Sequence, residues 1–252
     1  KHYSIAKRTE VLFEFKDLLE KNKEKLAKII SEDLGKVYDD ALGEVRRGID
    51  NVEYACGIGE LLKGEYNKNI STEVDSWSEF VPLGTVLGIT PFNFPAMVPM
   101  WMFPLALATG NSFILKPSEK DPLGSIFITE LFNKTKAPKG LLNLVNGDKK
   151  TVEALISDKR IKAVSFVGST PVAKKVYELS SISGKRCQAL GGAKNHALIL
   201  SDANIDYTTD QLISAAFGSS GQRCMALSVA VVSVKIKNEF LKSLKEKVLK
   251  LK

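Results

Sequence analysis

The sequence predicts an α/β fold: a Rossmann-like parallel sheet with helices on both faces, followed by the start of a second α/β unit. Three observations predict it. From Val81 onward, short apolar runs alternate with helix-patterned segments, the signature of βαβ crossovers in a sheet covered on both sides. The first sixty residues carry apolar positions at helical spacing. After Leu190 a strand–helix–strand–helix pattern starts afresh.

In chain order, Val11, Phe15, Leu18 and Leu19 form one helical stripe, and Gly35 is a suitable stop. A second helix aligns Val45, Ile49, Val52 and Cys56. Residues 65–80 are polar and β-leaning without a core stripe, so they read as an excursion that pairs with another segment or subunit. Strands are then expected at Thr85–Ile89, Ser112–Leu115, Leu142–Val145, Ala163–Val167 and Arg186–Leu190. Helices are expected between them at Ala96–Ala108, Leu123–Phe132, Thr151–Ile156 and Val172–Leu179. The last part holds strands at Ala197–Leu200 and Ser228–Val234, with helices at Tyr207–Phe217 and Asn238–Leu251. The final helix aligns Leu241, Leu244, Val248 and Leu251. The organisation expected is therefore N-terminal helices at 1–64, a hairpin segment at 65–80, a nucleotide-binding region at 81–189 and part of a further domain at 190–252.

Composition narrows the function classes. The 252 residues are 44% hydrophobic and 26% charged, enough to bury a core without disulfides or metals. Cys56, Cys187 and Cys224 form no CxxC pair, and the two histidines, His2 and His196, make a His-based metal site improbable; no metal is expected. Free thiols fit a reducing compartment, cytoplasmic or mitochondrial matrix. The formal charge of +7 comes mostly from lysine and reads as a solvated surface. No aromatic-plus-basic nucleic-acid module and no bilayer-length apolar run is present, so neither nucleic acid nor membrane is an expected partner. The chain opens on Lys1, so a short N-terminal segment is expected to be missing.

Ligands of parallel sheets bind at the carboxyl ends of the strands, which directs attention to four segments. Thr90-Pro91-Phe92-Asn93-Phe94-Pro95 follows a strand; its prolines stiffen the turn, and the Asn93 amide suits a developing oxyanion, although asparagine equally caps helices. Lys116-Pro117-Ser118-Glu119 follows the next strand; a carboxylate there suits ribose hydroxyls and disfavours a 2′-phosphate, but a plain polar turn reads the same way. Gly168 and Ser169 precede a helix with Pro171 in its first turn, a place for a pyrophosphate or simply a capped helix start; GxGxxG is absent. Gly221-Gln222-Arg223-Cys224 sets a thiol beside a cation, which favours the reactive thiolate, although a lone cysteine is more often a small core residue.

Taken together in order and spacing, Pro91–Pro95, Lys116–Glu119, Phe166–Thr170, Leu190–Gly192 and Gly221–Cys224 resemble the aldehyde dehydrogenase superfamily over the whole chain. The stretches Ile89–Pro104, Gly191–His196 and Cys224–Ala226 are most similar to its CoA-acylating methylmalonate-semialdehyde (malonate-semialdehyde) branch. The chain corresponds to roughly the N-terminal half of that family's length, and the remainder of the catalytic domain would lie C-terminal to it.

The resemblance implies roles. Cys224 would be the nucleophile, with the Asn93 side chain and the Cys224 backbone N–H as the oxyanion hole. Thr90, Pro91, Phe92, Lys116, Ser118, Glu119, Gly168, Ser169, Leu190 and Gly191 would bind NAD. Arg223 and Arg47 would read a substrate carboxylate. Residues 65–80 would be an oligomerisation hairpin of a homodimer or homotetramer. Hydrolytic members carry a glutamate immediately before Leu-Gly-Gly; this chain has Ala189 there, which implies CoA rather than water as acyl acceptor. Two alternatives stay open: a hydrolytic aldehyde dehydrogenase with its base elsewhere, and a catalytically inactive module that binds dinucleotide or pairs with other subunits.

Overall fold

The computed structural model describes residues 3–251; Lys1, His2 and Lys252 lie outside the described residues. Its first element is set by helical periodicity. In α1 (Ile5–Leu34) the Ser4 hydroxyl accepts a hydrogen bond from the Lys7 N–H, and Val11, Phe15, Leu19, Leu26 and Ile30 are buried on one side. Gly35 ends it at φ 78°, donating its N–H to the Ser31 carbonyl at 3.0 Å, a left-handed conformation that costs glycine nothing. In α2 (Tyr38–Cys56), Asp39 and Asp40 suit the positive helix start, and Val45, Ile49, Val52 and Cys56 are buried as the periodicity predicts. A single turn, α3 (Ile58–Leu61), leads into the hairpin of β1 (Tyr66–Ser71) and β2 (Val74–Trp77).

Chain 3–191 forms one compact unit around a five-stranded sheet. Its strands are β3 (Thr85–Ile89), β4 (Ser112–Lys116), β5 (Leu142–Leu144), β6 (Ile161–Val167) and β7 (Arg186–Leu190), in the order β5-β4-β3-β6-β7, all parallel. The connecting helices are α4 (Met97–Ala108), α5 (Leu123–Phe132), α6 (Lys149–Ser157) and α7 (Thr170–Ile182). Strand side chains alternate between two layers. Val86, Phe113, Leu115 and Val167 join α1, α2, α4 and α5 in one apolar cluster; Leu87, Ile89, Val164 and Phe166 join α6 and α7 in another. Phe15, Phe103, Phe113 and Phe132 interlock in the first, with ring centroids 5.3–6.2 Å apart in tilted and edge-on pairs.

Chain 192–251 forms a second unit: β8 (Asn195–Ile199), α8 (Ile205–Phe217), β9 (Leu227–Val232) and α9 (Lys237–Val248), with β8 and β9 parallel. Here one expectation needs correcting. The leucine stripe of the last helix is only partly its buried face: Phe240 is buried, with Leu244 packed near it and Val248 half-buried on the same side, whereas Leu241 is exposed and Leu251 lies past the helix end. The helix packs along α8, where Phe240 clusters with Leu212 and Ile199 and Ser243 meets the Thr209 hydroxyl at 3.0 Å, so the phenylalanine rather than Leu241 is its buried anchor.

Among the described residues no helix is long and apolar enough to cross a membrane, and no cluster of three or more His, Cys, Asp or Glu could hold a metal ion.

One buried group in the first unit stands out. Asp121, between β4 and α5, is 2% exposed, and neither carboxyl oxygen has a well-formed hydrogen bond among the described residues. Burial raises its pKa to about 8; the charges of Asp33 and Glu44 add to the rise, and Lys36 and Ser118 oppose it. The folded chain thus holds a proton that the unfolded chain releases above the ordinary value of 3.8, and stability falls as pH rises from there towards 8. Asp121→Asn should therefore stabilise the fold by about 1–3 kcal/mol at pH 8, with a smaller gain at pH 5, in urea unfolding. An equal gain at both pH values would mean the carboxyl titrates normally.

Candidate active site

The parallel register of the sheet brings the predicted loops of the first unit to one edge. Ile89 is the partner of Lys116 on one side and of Phe166 on the other, and Val167 is the partner of Leu190. Thr90, Lys116, Gly168 and Leu190 therefore mark the carboxyl ends of four adjacent strands. Backbone bonds stitch these ends together: Thr90 N–H to Lys116 O at 3.1 Å, and Gly168 N–H to Leu190 O at 3.1 Å. The Thr90 hydroxyl is buried and without a hydrogen-bond partner among the described residues, a polar group that a bound ligand could satisfy.

Lys116 is buried, and its ammonium bonds to Glu119 Oε2 at 3.0 Å. The Glu119 carboxylate, more than half exposed, is held below its ordinary pKa first by a backbone N–H bond and then by Lys116. It stays an anion able to accept hydroxyl donors. Ser118 is turned into its own loop, its hydroxyl accepting from the Lys120 N–H at 3.1 Å, while the Lys120 ammonium lies 5.3 Å over the Phe92 ring. Ser169 is the N-cap of α7, and its hydroxyl makes no capping bond, so it remains at the helix start where an anion would sit. Gly168 is required by space: a Cβ there would lie 2.5 Å from the Phe166 ring. Gly191 faces the Thr170 side chain in the same way. Ala189 packs its methyl against the cluster beneath α6 and α7.

The Thr90–Pro95 loop is held from several directions. Asn93 is half-buried, and its carbonyl accepts from the Lys36 ammonium at 2.7 Å. Ser125 in α5 donates to Pro95 O at 2.8 Å. The helix-cap reading of Asn93 does not hold, because the N-cap of α4 is Ala96, three residues further on, whose methyl side chain cannot close the helix start. Glu44 from α2 does so instead: its Oε1 accepts from the N–H groups of Ala96 and Met97 at 2.8 and 3.1 Å. Arg47 lies one turn further along α2, exposed, with Nε donating to Met97 Sδ at 3.3 Å, so it stands at the start of α4. Lys36 and Glu44 were not legible as site residues, since one follows a helix stop and the other lies within a helix, each some fifty residues from the loop it holds.

In the second unit, Cys224 sits in the turn between a short 3₁₀ segment (Gly218–Gly221) and β9, partly exposed. Ser219, Ser220 and Gly221 are all left-handed, at φ 53°, 54° and 72°, which is strained for the two serines. Asn195 at the start of β8 clamps the turn, its amide donating to the carbonyls of Cys224 and Ala226 at 3.1 and 3.0 Å. Arg223 folds its guanidinium back against Gly218, where a Cβ would come within 2.6 Å of it. Asn195 belonged to the Gly191–His196 stretch that carried the resemblance, but it lies before the strand expected at Ala197–Leu200 and no role was read for it.

Comparison with known proteins agrees with this arrangement. The aldehyde dehydrogenase family model matches residues 1–252. A malonate-semialdehyde dehydrogenase of Pseudomonas aeruginosa is 57% identical over 226 residues, covering 90% of this chain and 46% of the relative. One from Geobacillus kaustophilus is 50% identical, covering 98% of this chain and 50% of the relative. The crystal structure of methylmalonate-semialdehyde dehydrogenase from Oceanimonas doudoroffii superposes with a TM-score of 0.98 at 54% identity, covering all of this chain and 52% of that one. A Sinorhizobium meliloti protein assigned as a methylmalonate-semialdehyde dehydrogenase, in complex with NAD, gives 0.97 at 45%, covering 99% of this chain and 51% of that one. The chain spans about half the length of the curated relatives it matches. With the family model matching its whole length, the chain belongs to the aldehyde dehydrogenase family.

Proposed function

We propose that this chain supplies the dinucleotide-binding region and the nucleophile of an NAD-dependent, CoA-acylating (methyl)malonate-semialdehyde dehydrogenase. The observation that carries the reading is the alignment of Thr90, Lys116 with Glu119, Gly168 with Ser169, and Leu190 with Gly191 at the carboxyl ends of neighbouring parallel strands. The NAD complex of the Sinorhizobium meliloti relative supports the choice of cofactor.

Glu119 accepts hydroxyl donors of the adenosine ribose, with Lys116 holding the carboxylate. Thr90, Pro91, Phe92 and Ser118 complete the walls of the pocket. Gly168 and Ser169 receive the pyrophosphate at the start of α7, and Leu190 and Gly191 lie by the nicotinamide. Bound there, NAD supplies the hydride acceptor. Cys224, as thiolate, adds to the aldehyde carbon, and the carbonyl electrons move to oxygen. The Asn93 amide and the Cys224 backbone N–H donate to that oxyanion. Loss of hydride from the same carbon restores a carbonyl and leaves a thioester on the Cys224 sulfur. Arg47 and Arg223 hold the carboxylate of the thioester; when its C–C bond breaks, carbon dioxide leaves, the bonding pair passes into the thioester as an enolate, and the enolate carbon takes a proton from solvent.

Ala189 supports CoA as the acceptor. A methyl group at that position cannot activate water, whereas a thiol needs less help to attack a thioester. The CoA thiol gives its proton to solvent, its sulfur bonds to the acyl carbon, Cys224 leaves as thiolate, and acetyl- or propionyl-CoA is released. The β1–β2 hairpin serves assembly into dimers or tetramers, and residues 190–252 form part of the catalytic domain. The expected setting is the cytoplasm or the mitochondrial matrix.

NADH formation from malonate semialdehyde by the full gene product should require CoA, and Cys224→Ala should lower it by ~10³-fold or more. Turnover that ignores CoA would sink the acylating reading, and an active Cys224→Ala enzyme would sink the nucleophile. Calorimetric titration of NAD should give about ten-fold weaker binding for Glu119→Ala, the loss of one charge-assisted bond. Folded protein that evolves no heat with NAD would remove the cofactor assignment.

A further inference from the structure

The Lys36–Glu44 pair is buried at both ends, its side chains 2% and 0% exposed, with Lys36 Nζ 2.5 Å from Glu44 Oε2. An ion pair so far from water is a poor source of stability, because desolvation offsets most of its attraction. What this pair does have is direction. Lys36 stands in the short link after Gly35, donates to the Asn93 carbonyl at 2.7 Å, and lies 4.4 Å over the Phe94 ring. Glu44 uses its second oxygen for the N–H groups of Ala96 and Met97. Between them the two side chains grip both ends of the 93–97 backbone. The prolines at 91 and 95 limit how the segment can relax within its own loop. Ser125 holds its middle through Pro95 O.

We infer that Lys36 and Glu44 are positioning residues: through the 93–97 backbone they set the direction in which the Asn93 carboxamide points. The inference rests on the reading of Asn93 as an oxyanion donor. A displaced donor loses transition-state stabilisation while leaving cofactor binding alone, because the hydrogen bonds of Lys36 and Glu44 run to each other and to the 93–97 backbone, and those of Lys116 run to Glu119.

The test is a double-mutant cycle in the full gene product. Lys36→Met removes the cation. Glu44→Gln is the gentler variant, because its amide oxygen still accepts from Ala96 and Met97 while the charge partner of Lys36 is lost. For each, kcat, the Kd for NAD and the rate of Cys224 alkylation by iodoacetamide are measured with Asn93 intact and in Asn93→Ala. With Asn93 intact, kcat should fall by about 10- to 100-fold, while NAD affinity and alkylation rate change less than about two-fold. In Asn93→Ala, either variant should lower kcat by no more than about two-fold further. Losses that multiply across the two backgrounds would overturn the proposal, as would parallel losses in NAD affinity and thiol reactivity, or failure of both variants to fold. An Asn93→Ala enzyme with undiminished kcat would instead remove the oxyanion reading of Asn93, and this proposal with it.

Discussion

Parallel strand pairing requires that both faces of a sheet be covered, and in the first unit β3 bears that requirement at the centre. It pairs with β4 on one side and β6 on the other, and its residues alternate into the two apolar layers. Because every strand runs the same way, every strand-to-helix turn emerges at one edge. Segments far apart in sequence (residues 90, 116, 168 and 190) thereby become neighbours without any direct attraction between them. The candidate site follows from burial of valine, leucine and phenylalanine, and its polar groups come along with the topology.

The turns need more than topology. A loop leaving a sheet carries backbone donors and acceptors that must be satisfied. The Thr90–Pro95 loop and the start of α4 are satisfied by side chains from α1's exit, α2 and α5. The N-terminal helices are thus part of the site's construction, although their residues lie far from the strand-end loops in sequence. The turn before Cys224 follows another scheme: strained left-handed serines, closed by an asparagine from the neighbouring strand.

This difference explains what could be read from the sequence. Strands Thr85–Ile89 and Arg186–Leu190 and helix Leu123–Phe132 coincide with their expected spans, because apolar periodicity and the residues that bury it are the same thing. The loops after these strands were legible for the same reason. The partners of those loops were not. Lys36 looks like any lysine after a helix stop and Glu44 like any glutamate on a polar face; only the three-dimensional packing shows that both are buried. The last helix shows the opposite failure. Of the four aligned aliphatics, Leu244 and Val248 turn partly inward on the side where Phe240 is buried, while Leu241 is exposed and Leu251 lies beyond the helix.

The β1–β2 hairpin has a consequence of its own. Tyr66 pairs across the strands with Trp77, and both rings are largely exposed, as are Ile70 and Val74. Two strands standing alone have little free energy to spare. In the proposed assembly a partner's surface over these rings would add binding free energy, and mass action would then make folding and association one equilibrium. For such a segment, dilution acts in the same direction as a denaturant.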